Sequence, residues 1–157
     1  MDHSDEMLAA VRGLREVILA GEHYRQVLAQ VTGLGVTETQ AVSYLAIHDE
    51  RGQNELGAAL GITSSASTAL VDRLERQGIA ERFAHPRDRR RLLVRLTPRG
   101  RRLVDRSHDW LASSLEDVLP QELPKLTARL TTIASNLRDQ SARIEEQGSM
   151  NLDPGPS

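Results

Sequence analysis

The chain has 157 residues, of which 39% are hydrophobic and 27% charged, with a formal net charge of −2 and no cysteine. That length suits one compact domain, or a small domain with helical appendages, and the absent cysteine excludes disulfides, thiolate metal sites and cysteine-based redox sensing. An acidic opening at Asp2–Glu6 and the lack of any long apolar run predict a soluble cytoplasmic protein with no membrane partner.

Residues 5–31 read as a helix, because Leu8, Val11, Leu14, Ile18, Tyr24, Leu28 and Val31 return to one face. Gly33 and Gly35 end it. Thr37 is the expected N-cap of a second helix, with Gln40 placed as in a capping box. This helix carries Val42, Leu45 and Ile47 to about His48, and Glu50–Gly52 reads as a turn.

Two short helices follow, at about 53–60 and 64–77, joined by Gly61–Ser64, where glycine closes one helix and Thr63 or Ser64 caps the next. Their inward residues are Leu56 and Leu60 in the first, and Ala66, Leu70, Val71 and Leu74 in the second. The pair is a helix-turn-helix candidate.

Gly78 stops the second helix, and the apolar period then changes from 3.6 to 2. Residues 79–83 and 91–96 read as the strands of a hairpin, with Leu92, Val94 and Leu96 on one face and Arg91 and Arg95 on the other. The expected loop is 84–90. Residues 82–106 hold ten arginines against Asp88 and Asp105, a local balance of +8 inside an acidic chain, which points to a polyanionic partner.

Thr97 and Pro98 open a further helix, expected to run through Trp110 and Leu115 to Val118 before a break at Pro120. A last helix sets Leu123, Leu126, Leu130, Ile133, Leu137 and Ile144 in a heptad-like seam, suited to packing within the chain or against a second copy. Residues 148–157 read as a disordered tail.

The order helix, helix, helix, hairpin is that of a winged helix-turn-helix, so the predicted fold is mainly α with a small antiparallel β-wing. The start of the helix at Ser64 offers its N-terminal residues and positive dipole end to a major groove. The arginine-tipped hairpin can reach the adjacent minor groove, and Arg91, Arg95, Arg99, Arg101 and Arg102 can neutralise phosphates.

The segments Leu70-Val71-Asp72-Arg73-Leu74-Glu75-Arg76-Gln77-Gly78-Ile79, Asp88-Arg89-Arg90 and Leu96-Thr97-Pro98-Arg99-Gly100 resemble the signature of MarR-type regulators. The resemblance covers about residues 36–105. It implies a homodimer in which 1–35 and 98–147 are dimerisation helices and 36–97 is the DNA-binding domain. It further implies a near-palindromic duplex operator, usually repressed, and release of DNA when a small, often aromatic or phenolic, effector binds. Carried over by position, recognition-helix contacts fall on Ser64, Ser65, Ser67, Thr68 and Arg73. Wing contacts fall on Arg87, Arg89 and Arg90, with Arg91 beside them. Ser64 and Ala69 replace the basic residues common at those positions, and Ser67 replaces an apolar one, so the wing and phosphates are expected to carry much of the affinity.

Trp110, Tyr24 and His48 are candidates for lining a ligand pocket. The five histidines show no metal-ligand spacing, and no metal or other cofactor is expected. No nucleophile elbow, phosphate loop or H-E-x-x-H motif is present, so an enzyme is not expected.

Overall fold

The computed structural model describes residues 3–147, so the expected tail at 148–157 lies outside the described residues. The elements are α1 (His3–Thr32), α2 (Val36–His48), β1 (Arg51–Gly52), α3 (Gln53–Ala59), α4 (Ser64–Arg76), β2 (Ala80–His85), β3 (Asp88–Leu96), α5 (Pro98–Ser113) and α6 (Leu123–Gln147). They divide into two compact units, one up to Leu111 and one from Ala112 onward.

The core of the first unit lies where α2, α3 and α4 meet the sheet. Leu45, Leu56, Leu70, Val71, Leu74 and Val94 are fully enclosed there, and Leu34, Ile79 and Leu96 close the edges. These are the inward positions of the helical and strand periods, and burying each such side chain contributes about 1.5–3 kcal/mol.

Three local expectations are corrected. The N-cap of α2 is Gly35, not Thr37: the Glu38 carboxylate accepts the Gly35 amide at 2.6 Å, which sets the first turn two residues earlier. Arg51–Gly52 is not a turn but a short strand, which pairs antiparallel with β3 and gives a three-stranded sheet in the order β1-β3-β2. The hairpin is longer than its apolar alternation suggests. Its register runs from Ala80↔Leu96 to His85↔Asp88, leaving only Pro86 and Arg87 at the turn, with an irregularity between Ala84 and His85. Charged residues extend the ladder because its backbone bonds need no apolar side chains.

Thr97 and Pro98 open α5 as expected. The Thr97 hydroxyl donates to the Gly78 carbonyl at 2.6 Å and accepts the Gly100 amide at 3.1 Å. Gly100 is required by proximity: a Cβ there would stand 2.2 Å from the Ile79 carbonyl oxygen. The helix ends at Ser113, earlier than expected, in turns where Leu115 and Glu116 bond back three residues.

The second unit carries α6, on which Leu123, Leu130, Ile133, Leu137 and Ile144 are all exposed.

Candidate nucleic-acid interface

Thr63 caps α4, its hydroxyl accepting the Ala66 amide at 3.2 Å and lying 3.1 Å from the Ser65 hydroxyl. This leaves Ser64 and Ser65 exposed on the first turn, where unpaired amides and the helix dipole favour an anion. Thr68 is exposed one turn on, held between the Ser64 carbonyl at 3.1 Å and the Gln53 side-chain amide at 2.7 Å.

Two residues expected to contact DNA are engaged within the fold. Ser67 is fully enclosed, and its hydroxyl donates to the Gln53 carbonyl at 2.9 Å, so it joins α4 to α3 and faces no groove. Helical spacing put it near the exposed serines, but α3 covers that side of the helix. Arg73 pairs through Nε with Glu38 at 2.6 Å, tying α4 to the start of α2. Burial pushes the Glu38 carboxyl up, but the Gly35 amide, Arg73 and Gln77 outweigh it, and the net effect holds it below the ordinary glutamate value. Arg73 is thus the counter-ion of a buried carboxylate.

Within the hairpin the arginines of the basic block fall into two sets. The Arg82 side chain is only 18% exposed and reaches across three elements. Its guanidinium meets Asp72 at 2.7 Å, Glu75, the Gln53 side-chain oxygen at 3.0 Å and the Thr68 carbonyl at 3.3 Å. Arg95 bonds Glu81 at 2.8 Å, approaches Glu50 at 3.7 Å and stacks 4.3 Å over the Phe83 ring. The bond to Glu81 is the main reason its proton is held more tightly than usual. Arg95, expected as a free phosphate contact, is instead paired with two carboxylates. By contrast Arg87, Arg90 and Arg91 at the hairpin tip are exposed, and their guanidinium groups make no ion pair among the described residues. The Arg89 side chain lies outside the described residues.

Sequence reasoning counted Arg82 only as charge and missed Gln53 and Glu38. Glu38 had a signal, an acid three residues after a glycine that ends a helix. Gln53 had none, since its role depends on partners 15 and 29 residues away.

Comparison with known proteins agrees with this arrangement. The family model that matches is that of the MarR family, over residues 32–91. The HTH-type transcriptional regulator YcgE of Bacillus subtilis is 28% identical, with 78% of this chain and 82% of its own length aligned. The transcriptional repressor MprA of Escherichia coli is 30% identical, with 76% and 64% aligned. The crystal structure of the transcriptional regulator BldR from Sulfolobus solfataricus is similar at a TM-score of 0.60 and 25% identity, covering 87% of this chain and 99% of that one. The chain belongs to the MarR family.

It is accordingly a transcriptional regulator with a DNA-binding winged-helix fold. Of the residues expected to line a pocket, Tyr24 and Trp110 border one hollow and His48 another. Tyr24 and Trp110 share a small hollow of about 280 Å³ with Val27, Leu28 and Val31. The Tyr24 hydroxyl also donates to the Ser107 carbonyl at 3.2 Å. The His48 ring packs against Tyr44 in a tilted arrangement, centroids 4.4 Å apart, and borders a separate charged recess with Asp49, Arg95 and Asp105. A third hollow, again of about 280 Å³, is bounded by Leu28 of α1, Leu34 just after it, Val42 and Ala46 of α2, and Leu103 and Val104 of α5. Among the described residues no group of metal-ligating side chains is gathered, and no helix is long and apolar enough to cross a membrane.

Proposed function

We propose that this MarR-family chain binds a near-palindromic DNA duplex as a homodimer, represses transcription by occupying the promoter, and releases DNA when a small apolar or aromatic ligand binds. One observation carries the reading. Ser64, Ser65 and Thr68 are exposed on the first turns of α4, and the same domain carries Arg87, Arg90 and Arg91 at its hairpin tip, exposed and without an ion pair among the described residues. A helix N-terminus fits a major groove, and a narrow cationic finger fits the adjoining minor groove. Arg82 and Arg95 of the same block are instead engaged by carboxylates.

Dimerisation is supported by apolar side chains on both helical arms. Leu8, Val11 and Ile18 on α1, and Leu130, Ile133 and Leu137 on α6, are exposed in the single chain, more apolar surface than a monomer ordinarily presents. Two copies would set their α4 helices about 34 Å apart, one turn of duplex. The hollow between α1, α2 and α5 supports the ligand step, since its lining is almost wholly apolar and α5 is continuous with the sheet through Thr97. A ligand that favours a dimer with the wrong helix spacing would draw the population away from DNA.

A mobility-shift assay on the DNA upstream of the chain's own gene, at two salt concentrations and with a panel of phenolic acids, tests this reading. Retention that weakens steeply with salt and is relieved by at least one acid is expected. No retention at low salt contradicts duplex binding, and ligands that tighten binding contradict the release step.

A further inference from the structure

A threonine hydroxyl ordinarily either donates or accepts, so it discriminates poorly between base edges. The surroundings of Thr68 remove that freedom. Arginine can only donate, and Arg82 is anchored by Asp72 and Glu75 while its Nε donates to the Gln53 oxygen at 3.0 Å. This fixes the Gln53 amide with its oxygen toward Arg82 and its NH₂ group toward Thr68, 2.7 Å away. An amide NH₂ only donates, so the Thr68 oxygen accepts. Its own hydrogen goes to the Ser64 carbonyl at 3.1 Å, a group that can only accept. The chain of bonds from Arg82 through Gln53 and Thr68 to Ser64 therefore runs in one direction and cannot reverse. One lone pair of the Thr68 oxygen is left, and among the described residues nothing else bonds it.

From this polarity we propose that Thr68 is a specificity-determining residue that offers DNA an acceptor and no donor, with Gln53 and Arg82 as the positioning residues that fix it. In the major groove the base donors are the adenine N6 and cytosine N4 amino groups, whereas guanine and thymine present acceptors at N7, O6 and O4. On the strand it faces, Thr68 then selects adenine or cytosine over guanine or thymine. The inference rests on the duplex-binding reading above and adds to it a base preference at one position of each half-site.

The test is selection by the full-length protein from a pool of randomised duplexes, with sequencing of the bound fraction. Wild type is expected to show one position per half-site at which adenine or cytosine exceeds guanine or thymine by about 3- to 10-fold, the scale of one net hydrogen bond. Thr68→Val, which keeps the shape and deletes the hydroxyl, flattens that position alone, and Thr68→Ser restores it. Gln53→Leu frees the hydroxyl to rotate, so guanine and thymine become tolerated there while the other positions keep their profile. A merely structural role for Gln53 would weaken every position in proportion. If wild type retains no duplex, the functional reading fails and this inference with it. If wild type enriches a site whose profile Thr68→Val leaves unchanged, or if the affected position favours guanine or thymine, the inference alone is overturned.

Discussion

Gly57 of α3 lies against Ser67 of α4 so closely that a methyl group on Gly57 would stand 2.9 Å from the Ser67 Cβ and 3.0 Å from its hydroxyl oxygen. This contact sets the crossing of the two helices, and with it the angle at which Ser64, Ser65 and Thr68 are presented. Gly57→Ala is expected to lower stability by about 1–3 kcal/mol, the usual effect of overpacking an enclosed site. Ser67→Gly in the same chain should recover part of the loss, so the pair is non-additive in a double-mutant cycle of thermal midpoints. Simple additivity would show that the helices do not meet here.

The Glu38–Arg73 pair predicts an acid dependence. The folded-state pKa of Glu38 lies below its ordinary value, so the pair's contribution is present above the ordinary carboxylate pKa and lost as pH falls through the lowered one. Between pH 7 and pH 3 the urea midpoint of wild type should therefore fall more steeply than that of Glu38→Gln. Arg73→Ala, which leaves a buried carboxylate without its counter-ion, is expected to cost about 1–3 kcal/mol. Parallel acid profiles for wild type and Glu38→Gln would contradict this account.

The division of the arginines is testable by salt titration. Arg90→Ala and Arg91→Ala should each reduce the slope of log affinity against log salt by about one. Arg95→Ala should leave the slope unchanged and lower the thermal midpoint, because that side chain is held by Glu81, Glu50 and Phe83. An equal change of slope for Arg95 would place it at the phosphates.

The exposed seam of α6 predicts that Ile133→Asp shifts the protein toward monomer in sedimentation experiments and weakens duplex retention at least tenfold, since one half-site contributes far less than two. A dimer of unaltered affinity would locate the subunit contact elsewhere.

Apart from the two-residue strand β1, which was read as a turn, the element order was legible from apolar periodicity and punctuation. The change from period 3.6 to period 2 after Gly78 marked the wing, and Thr97-Pro98 marked the start of α5. The strand ends were harder to place, because the hairpin beyond Ala84 is a ladder of charged residues that alternation cannot register. Residue roles were legible only in part. Helical spacing cannot tell that α3 covers Ser67 or that Glu38 claims Arg73, since both facts arise from elements distant in sequence. A count of charge likewise cannot separate Arg82, bonded across three elements, from Arg90, whose guanidinium makes no ion pair among the described residues. The motif glycine Gly100 was legible as a pattern, and its reason, the Ile79 carbonyl beneath it, only in three dimensions.

Hydroxyl-radical and methylation protection of an enriched duplex tests most directly whether α4 and the wing act together. The account predicts two protected major-groove faces about 10 base pairs apart, each flanked by minor-groove protection that disappears in the Arg90→Ala, Arg91→Ala double variant while major-groove protection persists. Protection confined to the phosphates, with no major-groove signal in wild type, would contradict it.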